Sequence, residues 1–226
     1  MRSWVDGNMK RFWRTALAEV MEDRPEIEQD IEDWEAMSPG DFTLPDFYCE
    51  YVWAVYNAGF KIEVLETLWD RISEALYGFD VEQVSANRHD VRSNLMAIVS
   101  HKHKSEAVVD TAIKLARRPQ IWDRLQRMSA SAFLDEVLEF KGIGPENRYH
   151  VARNLGWNVP THSGFTKALA DNLRTDCDTL MTYISGASGM KVSTTDTVVG
   201  IWHRLPRHES DEHCIGRFRA LIGLDG

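Results

Sequence analysis

Apolar residues recur at helical spacing along almost the whole of this 226-residue chain. Residues 9–21 carry one apolar stripe, and residues 46–58 are apolar nearly all round, which is typical of a helix in a core. Amphipathic helices are predicted at residues 61–76 and 104–117. No segment shows the sustained alternation of a half-buried strand. The pattern therefore predicts an all-α fold.

A glycine turn joins two further helical segments near the middle of the chain. Residues 133–140 and 149–155 have apolar residues at helical spacing, and residues 142–144 between them read Gly-Ile-Gly. We expect both glycines to adopt backbone angles that other residues avoid, with Ile143 pinning the helices together. Such a turn, with Pro145 opening the next helix, would present helix N-terminal amides to a phosphate. An ordinary helical hairpin is the alternative interpretation.

The net charge of −9 is concentrated in the first third of the chain. Residues 1–80 hold 7 Lys/Arg and 18 Asp/Glu, whereas residues 81–157 hold 12 and 9. A DNA surface therefore fits the second region, although its field is weak. We expect binding to depend on a few local contacts and to weaken with added salt.

Cysteine usage and hydropathy indicate the compartment. The three cysteines, Cys49, Cys177 and Cys214, are odd in number and widely spaced, so we expect reduced thiols in a cytosolic protein. The first residues show no secretory signal, and no run approaches the roughly 18 apolar residues of a membrane span. The expected location is cytoplasmic, with association to the nucleoid in a prokaryote.

Three stretches of the chain resemble the helix-hairpin-helix superfamily of DNA glycosylases. Within it the likeness is greatest to 3-methyladenine DNA glycosylase I, with some likeness to endonuclease III. The stretches follow the family's order: a buried helix ending in Tyr-Asn-Ala-Gly-Phe at 56–60 with Gly-Phe-Asp at 78–80, a basic turn at 98–107, and the hairpin at 140–156 followed by Val-Pro-Thr-His at 159–162.

The resemblance implies a two-lobed all-α protein that acts on double-stranded DNA. Such a protein bends the duplex, rotates a modified or damaged base into a pocket and cleaves its N-glycosidic bond. We expect no cofactor. We also expect a helical extension at residues 1–45 and a glycosylase-like domain at residues 46–226, with the hairpin at 133–156.

Residues for DNA binding and for a base pocket follow from the same resemblance. The predicted DNA contacts are Lys141, Gly142, Ile143, Gly144, Asn147, Arg148, Asn57, His101 and Lys102. Asn57 stands where the family often carries a glutamine that fills the gap left by the flipped nucleotide, and a helix cap is the alternative. The predicted base pocket contains Tyr51, Trp53 and Ala54, with core packing as the alternative for the aromatic residues.

The chain departs from the family where the chemistry is expected. Pro160 replaces the usual catalytic aspartate, and Glu146 stands where strand-cutting relatives carry lysine, so we expect no Schiff-base lyase. Ala54 stands where 3-methyladenine DNA glycosylase I would carry a base-recognising glutamate, so we expect a different substrate base. No metal is expected, because the family's zinc ligands have no clear counterpart and the polar run at 208–214 lacks a familiar zinc spacing.

Glu50 and His162 are the candidates to replace the missing aspartate. Glu50 lies one helical turn before Ala54, and a carboxylate on so apolar a helix is costly to bury without a purpose. Exposure to solvent, or pairing with a basic group, is the alternative for Glu50. His162 could contact the base or carry a proton near neutral pH, and a loop histidine bonded to backbone is the alternative.

The predicted function is excision of a modified or damaged base from duplex DNA by a monofunctional DNA glycosylase. Two other functions remain open. One is an enzyme that acts on the modified bases of phage DNA, in hypermodification or in anti-phage defence, with the same scaffold. The other is a DNA-binding relative that has lost catalysis.

Overall fold

The computed structural model describes residues 2–208 and 210–224, and every regular element in these ranges is a helix. This confirms the predicted all-α class. In chain order the helices are α1 (Arg2–Asp23), α2 (Ile27–Ala36), α3 (Leu44–Asn57), α4 (Ile62–Ala75), α5 (Val81–Ala86), α6 (Arg88–Val99), α7 (Lys102–Ala116), α8 (Ile121–Leu125), α9 (Ala130–Val137), α10 (Asn147–Asn154), α11 (Gly164–Asn172), α12 (Cys177–Ser188), α13 (Val192–His203) and α14 (Asp211–Leu221). Short 3₁₀ helices lie at Pro39–Asp41 and Tyr77–Phe79. None of the described helices combines the length and apolar character needed to cross a membrane.

The chain divides into two compact units. The terminal unit comprises Met1–Met37 with Asn158–Gly226, and the central unit comprises Ser38–Trp157. The first two helices therefore share a core with the C-terminal helices, whereas from the sequence we predict a helical extension at residues 1–45. Phe12 of α1 packs edge-on against Trp202 and Phe218, with ring centroids 5.3 and 4.5 Å apart. The sequence shows the apolar stripe of α1, but it does not show that the stripe's partners lie near the other end of the chain.

A polar network in the terminal unit joins α1 to the C-terminal helices. The Glu19 carboxylate accepts hydrogen bonds from the Trp202 indole at 2.8 Å and from Arg217 at 2.5 Å. Arg217 also donates to Nε2 of His208 at 2.7 Å, so that ring nitrogen carries no proton. Burial of the ring, together with the charge of Arg217, lowers the pKa of His208. The folded state therefore favours the neutral form of His208.

In the central unit, α3 begins at a defined residue. Thr43 and Asp46 form a capping box, in which the backbone N–H and the hydroxyl of Thr43 donate to the Asp46 carboxylate at 2.7 and 2.6 Å. Pro45 occupies the first turn, where its missing N–H costs nothing. These three residues start the helix within two positions of where the hydrophobic pattern predicts it.

Three tyrosines fix α3 against α7. Tyr48, Tyr51 and Tyr56 are fully buried. The Tyr48 hydroxyl donates to the Val108 carbonyl at 3.1 Å, and the Tyr56 hydroxyl lies 3.4 Å from the Ser105 hydroxyl. A phenol can be buried cheaply only where its hydroxyl finds a partner. The positions of these partners on α7 therefore set the rotation of α3.

The hairpin between α9 and α10 needs one glycine and not the two that we expect from its sequence. Gly142 has φ of 91°, a left-handed conformation, and a Cβ there would lie 3.1 Å from Cγ2 of Val55. Gly144 has no such backbone angle, and its Cβ would make only ordinary contact with Asn147 Oδ1 at 3.7 Å. Of the two glycines, only Gly142 therefore lies close against α3.

Alanine substitutions at the two glycines should consequently differ. We expect Gly142→Ala to lower the free energy of unfolding by about 1–3 kcal/mol, because it adds a left-handed alanine and a tight contact with Val55. We expect Gly144→Ala to leave it unchanged or to raise it by up to about 1 kcal/mol. Urea unfolding of the two variants measures the difference. Equal losses would contradict this account of the turn.

The neutral His208 predicts a dependence of stability on pH. Because its pKa is lower in the folded state than its value of about 6.5 in the unfolded chain, the unfolded chain binds more protons below that pH. The free energy of unfolding should therefore show no loss from His208 above about pH 6.5. Below that pH it should fall by up to about 1.4 kcal/mol per pH unit. His208→Gln, which can still accept from Arg217, should flatten this slope between about pH 6.5 and 5.5. An unchanged slope would assign the effect to other groups.

Candidate nucleic-acid interface

The C-terminal end of α3 is capped by a lysine of α7. Lys104 Nζ donates to the carbonyl of Val55 at 2.5 Å, to that of Tyr56 at 3.2 Å, and to that of Ala58. The last carbonyls of a helix have no partner within the helix, so an ammonium group at this position satisfies several of them together. Burial lowers the pKa of Lys104. The N-terminal turn of α7 is thereby fixed to the end of α3.

The side chain of Asn147 fixes the hairpin to the same helix end. Its Nδ2 donates to the carbonyls of Ala54 and Gly142, both at 3.3 Å. Its Oδ1 accepts from the backbone N–H of Gly144 at 2.5 Å. Ile143 is buried beside this turn. A phosphate that approached the Gly144 amide would therefore compete with Asn147.

The turn between α6 and α7 lies at the same end of the central unit. His101 caps α7 by accepting the Lys104 backbone N–H on Nδ1 at 3.4 Å. Its ring centroid lies 6.3 Å from that of Phe60, which follows the end of α3. Lys102 is exposed in the first turn of α7. The partial positive charge of a helix N-terminus is thus accompanied by a cationic side chain.

Three separate groups of predicted DNA contacts therefore meet. Asn57 is the half-buried last residue of α3, at the helix end whose carbonyls accept from Lys104 and Asn147. We call residues 57–60, 101–104 and 141–148 together the hairpin surface. It carries the N-terminal ends of α7 and α10, two sites of partial positive charge of the kind that bind anions.

The residues predicted to form a base pocket lie mostly in the interior. The Tyr51 hydroxyl donates to the Lys141 carbonyl at 2.5 Å and accepts from Thr111 at 2.9 Å, and its ring is fully buried. Burial raises the pKa of Tyr51 above its usual range. Ala54 is also buried, whereas Trp53 is partly exposed and packs edge-on against Trp69 at 4.8 Å. Tyr51 and Ala54 therefore support the hairpin surface from below, and only Trp53 keeps a face that a base could reach.

Glu50 is half-buried and has a hydrogen-bond partner. Its Oε2 accepts from Nδ2 of Asn154 on α10 at 2.8 Å. Arg153 in turn donates to the Asn154 side-chain oxygen at 3.2 and 3.1 Å. Burial raises the pKa of Glu50, and the bond from Asn154 and the charge of Arg153 oppose this only in part. The carboxyl group thus links α3 to the second helix of the hairpin.

His162 belongs to the terminal unit, so the two predicted catalytic residues lie in different units. It has the left-handed φ of 53°, which a non-glycine residue adopts at a cost of about 1 kcal/mol or more. Its Nε2 lies 2.9 Å from the carboxylate of Asp178 on α12. A carboxylate therefore stands beside His162, as it does beside many histidines that transfer protons.

A buried carboxylate that we do not predict holds the loop before His162. Asp196 on α13 accepts from the backbone N–H and the hydroxyl of Thr161 at 3.0 and 2.6 Å, and from the Thr166 hydroxyl at 3.3 Å. It is 3% exposed. Burying a carboxylate is costly here as it is on α3. In the sequence, however, Thr194, Thr195 and Thr197 surround Asp196, so the apolar setting that singles out Glu50 gives only a weak signal for it.

No group of three or more His, Cys, Asp or Glu side chains is arranged to hold a metal ion in the part of the chain that the structure describes. The polar run at 208–214 leads into α14, whose N-cap is Ser210. Cys214 in that run is buried. Glu209 lies outside the described residues.

The fold as a whole is similar to that of a DNA glycosylase. The crystal structure of the 8-oxoguanine DNA glycosylase of Thermotoga maritima matches with a TM-score of 0.60 at 15% sequence identity, covering 88% of this chain and 97% of that chain. The sequence matches no protein-family model and no curated protein. The structural likeness shows an all-α, DNA glycosylase-like fold, and it does not single out 3-methyladenine DNA glycosylase I.

Proposed function

We propose that this protein binds duplex DNA through the hairpin surface and excises a modified or damaged base without cutting the strand. The observation that carries the proposal is the meeting of two helix N-termini, those of α7 and α10, at the capped end of α3. Helix N-termini bind phosphate through their amides and partial positive charge. The DNA glycosylase-like fold supports the same function.

The chemistry requires a group that stabilises the positive charge developing on the sugar or that activates water. Glu50 and His162 remain the residues that we propose for this role. Burial raises the pKa of Glu50, which favours the protonated form that can donate to a base. His162, whose Nε2 lies 2.9 Å from the Asp178 carboxylate, is the alternative residue for this role. Glu146 at the start of α10 provides no amine for a Schiff base.

Lys104 is the amine whose environment most resembles that of a nucleophilic lysine, because burial lowers its pKa. Its ammonium group nevertheless donates to three carbonyls of the α3 terminus. These bonds favour the charged, unreactive form. They support the proposal that the protein does not act as a strand-cutting lyase.

A non-catalytic DNA-binding protein is the second candidate. The hydrogen bond between Glu50 and Asn154 favours it, since the bond gives this carboxyl group a structural purpose. Such a protein would keep the hairpin surface and bind duplex DNA, but it would release no base.

A panel of duplexes, each with one altered base, tests the proposed function. The panel should include 8-oxoguanine, because the structural neighbour acts on that base. We expect abasic sites in at least one duplex, no strand cleavage unless alkali is added, and no enzyme–DNA adduct trapped by borohydride. Binding without abasic sites in any duplex would favour the non-catalytic candidate. A trapped adduct would contradict the proposed absence of lyase activity.

Glu50→Gln separates a catalytic from a structural role. The glutamine side chain can still accept a hydrogen bond from Asn154. The substitution removes a carboxyl group whose ionised form is costly, because burial raises its pKa. The free energy of unfolding at pH 7 should therefore be unchanged or higher. Single-turnover excision should fall about 100-fold or more if the carboxyl group acts in the reaction.

Asn154→Ala is the matched control for this experiment, because it removes the hydrogen bond and keeps the carboxyl group. We expect it to lower stability and to reduce excision far less than Glu50→Gln does. Unchanged excision by Glu50→Gln would assign Glu50 a structural role and leave His162 as the candidate.

A further inference from the structure

Each cationic side chain that we predict to contact DNA faces a carboxylate of the central unit. The nitrogen–oxygen distances are 4.0 Å for Lys102 and Glu106, 3.6 Å for Lys141 and Asp110, and 3.4 Å for Arg148 and Asp135. The Gly144 amide has an internal acceptor as well, in Asn147 Oδ1. These four donors of the hairpin surface are thus already engaged within the protein.

Two of these carboxylates share one face of α7. Glu106 and Asp110 are four residues apart, which places them one helical turn from each other. Asp110 also faces Arg92 of α6 at 3.4 Å, so it lies between two cations. The third carboxylate, Asp135, lies on α9, where the Leu134 carbonyl also accepts from Arg148 at 3.4 Å.

Glu106 and Arg148 are only partly exposed, with side chains 27% and 20% accessible to solvent. The two aspartate carboxylates are open to solvent and therefore exchangeable, since the side chains of Asp110 and Asp135 are 49% and 77% exposed. Ion pairs at such exposure are weak, because water and salt screen the attraction and two side chains must be ordered. A phosphate, which also offers charged oxygen acceptors, could replace each carboxylate without disturbing the core.

We propose that Asp110, Asp135 and Glu106 set the DNA affinity of the hairpin surface by holding its cations until a phosphate displaces them. The proposal rests on the proposed function, since it presumes that this surface binds duplex DNA. Each phosphate contact then contributes to the binding free energy only the difference between a cation–phosphate and a cation–carboxylate interaction. The result is weak, reversible binding to any duplex, which lets the protein leave unmodified DNA.

Asp110→Asn tests the proposal by removing the charge while keeping the size of the side chain. Affinity for an unmodified duplex, measured by fluorescence anisotropy at low salt, should rise about two- to fivefold. The gain should shrink at higher salt as the attraction is screened. Asp135→Asn, which changes a different pair, should act in the same direction.

Asp123→Asn is the matched control. Asp123 is an exposed carboxylate on α8 of the same unit and makes no ion pair with a described residue, so this variant changes the net charge equally. Its affinity should stay within about 1.5-fold of that of the unchanged protein. Equal gains from the two variants would mean that net charge alone acts, and would overturn the proposal.

Double variants identify the cation that is released. The gain from Asp110→Asn should disappear in a Lys141→Gln background and persist in an Arg92→Gln background. A gain that persists without Lys141, or no gain from either carboxylate variant in a protein that binds DNA, would overturn the proposal. If neither the unchanged protein nor any variant binds duplex, the proposed function fails first and this inference fails with it.

Discussion

The structure of the central unit depends on satisfying the carbonyls at the C-terminal end of α3. Most of these groups have no partner within the helix, although the Ala54 carbonyl also accepts the Ala58 N–H, and Val55 and Tyr56 are buried away from water. Lys104 and Asn147 supply the donors from the first turns of α7 and α10. The arrangement also sets two helix N-termini against one C-terminus, so the helix dipoles attract each other. A local hydrogen-bonding requirement therefore brings together three segments that are far apart in sequence.

The same requirement decides which side chains remain for function. The Tyr51 hydroxyl donates to the Lys141 carbonyl, and the whole side chain is buried away from solvent. Tyr51 therefore supports the hairpin without forming part of its surface. Glu50 bonds to Asn154 and links α3 to α10. Polar groups on a buried helix must find partners, and here the nearest partners belong to the hairpin. The hairpin surface is accordingly supported on its buried side by hydrogen bonds to α3, and it presents polar side chains to solvent.

Charge on this surface is balanced locally. Lys102, Lys141 and Arg148 carry the positive charge expected of a DNA-binding surface, but each has a carboxylate within 4.0 Å. The weak field inferred from the counts of basic and acidic residues thus has a structural basis in individual pairs. The sum of the charges does not describe such a surface, because exposed pairs respond to a competing anion one at a time.

The sequence by itself determined the helical class, the start of α3 and the position of the hairpin, because helical periodicity, capping residues and glycines act over a few neighbouring positions. It also named Asn57, His101, Lys102 and the hairpin residues, which the structure brings to one end of the central unit. Only the tertiary structure decided that α1 completes the terminal core and that Asp196 holds the loop before His162. It also decided that Gly144, unlike Gly142, does not adopt the left-handed backbone conformation that favours glycine. These features depend on which distant groups meet, and a local pattern of apolar and polar residues does not encode the partner of a buried donor or acceptor.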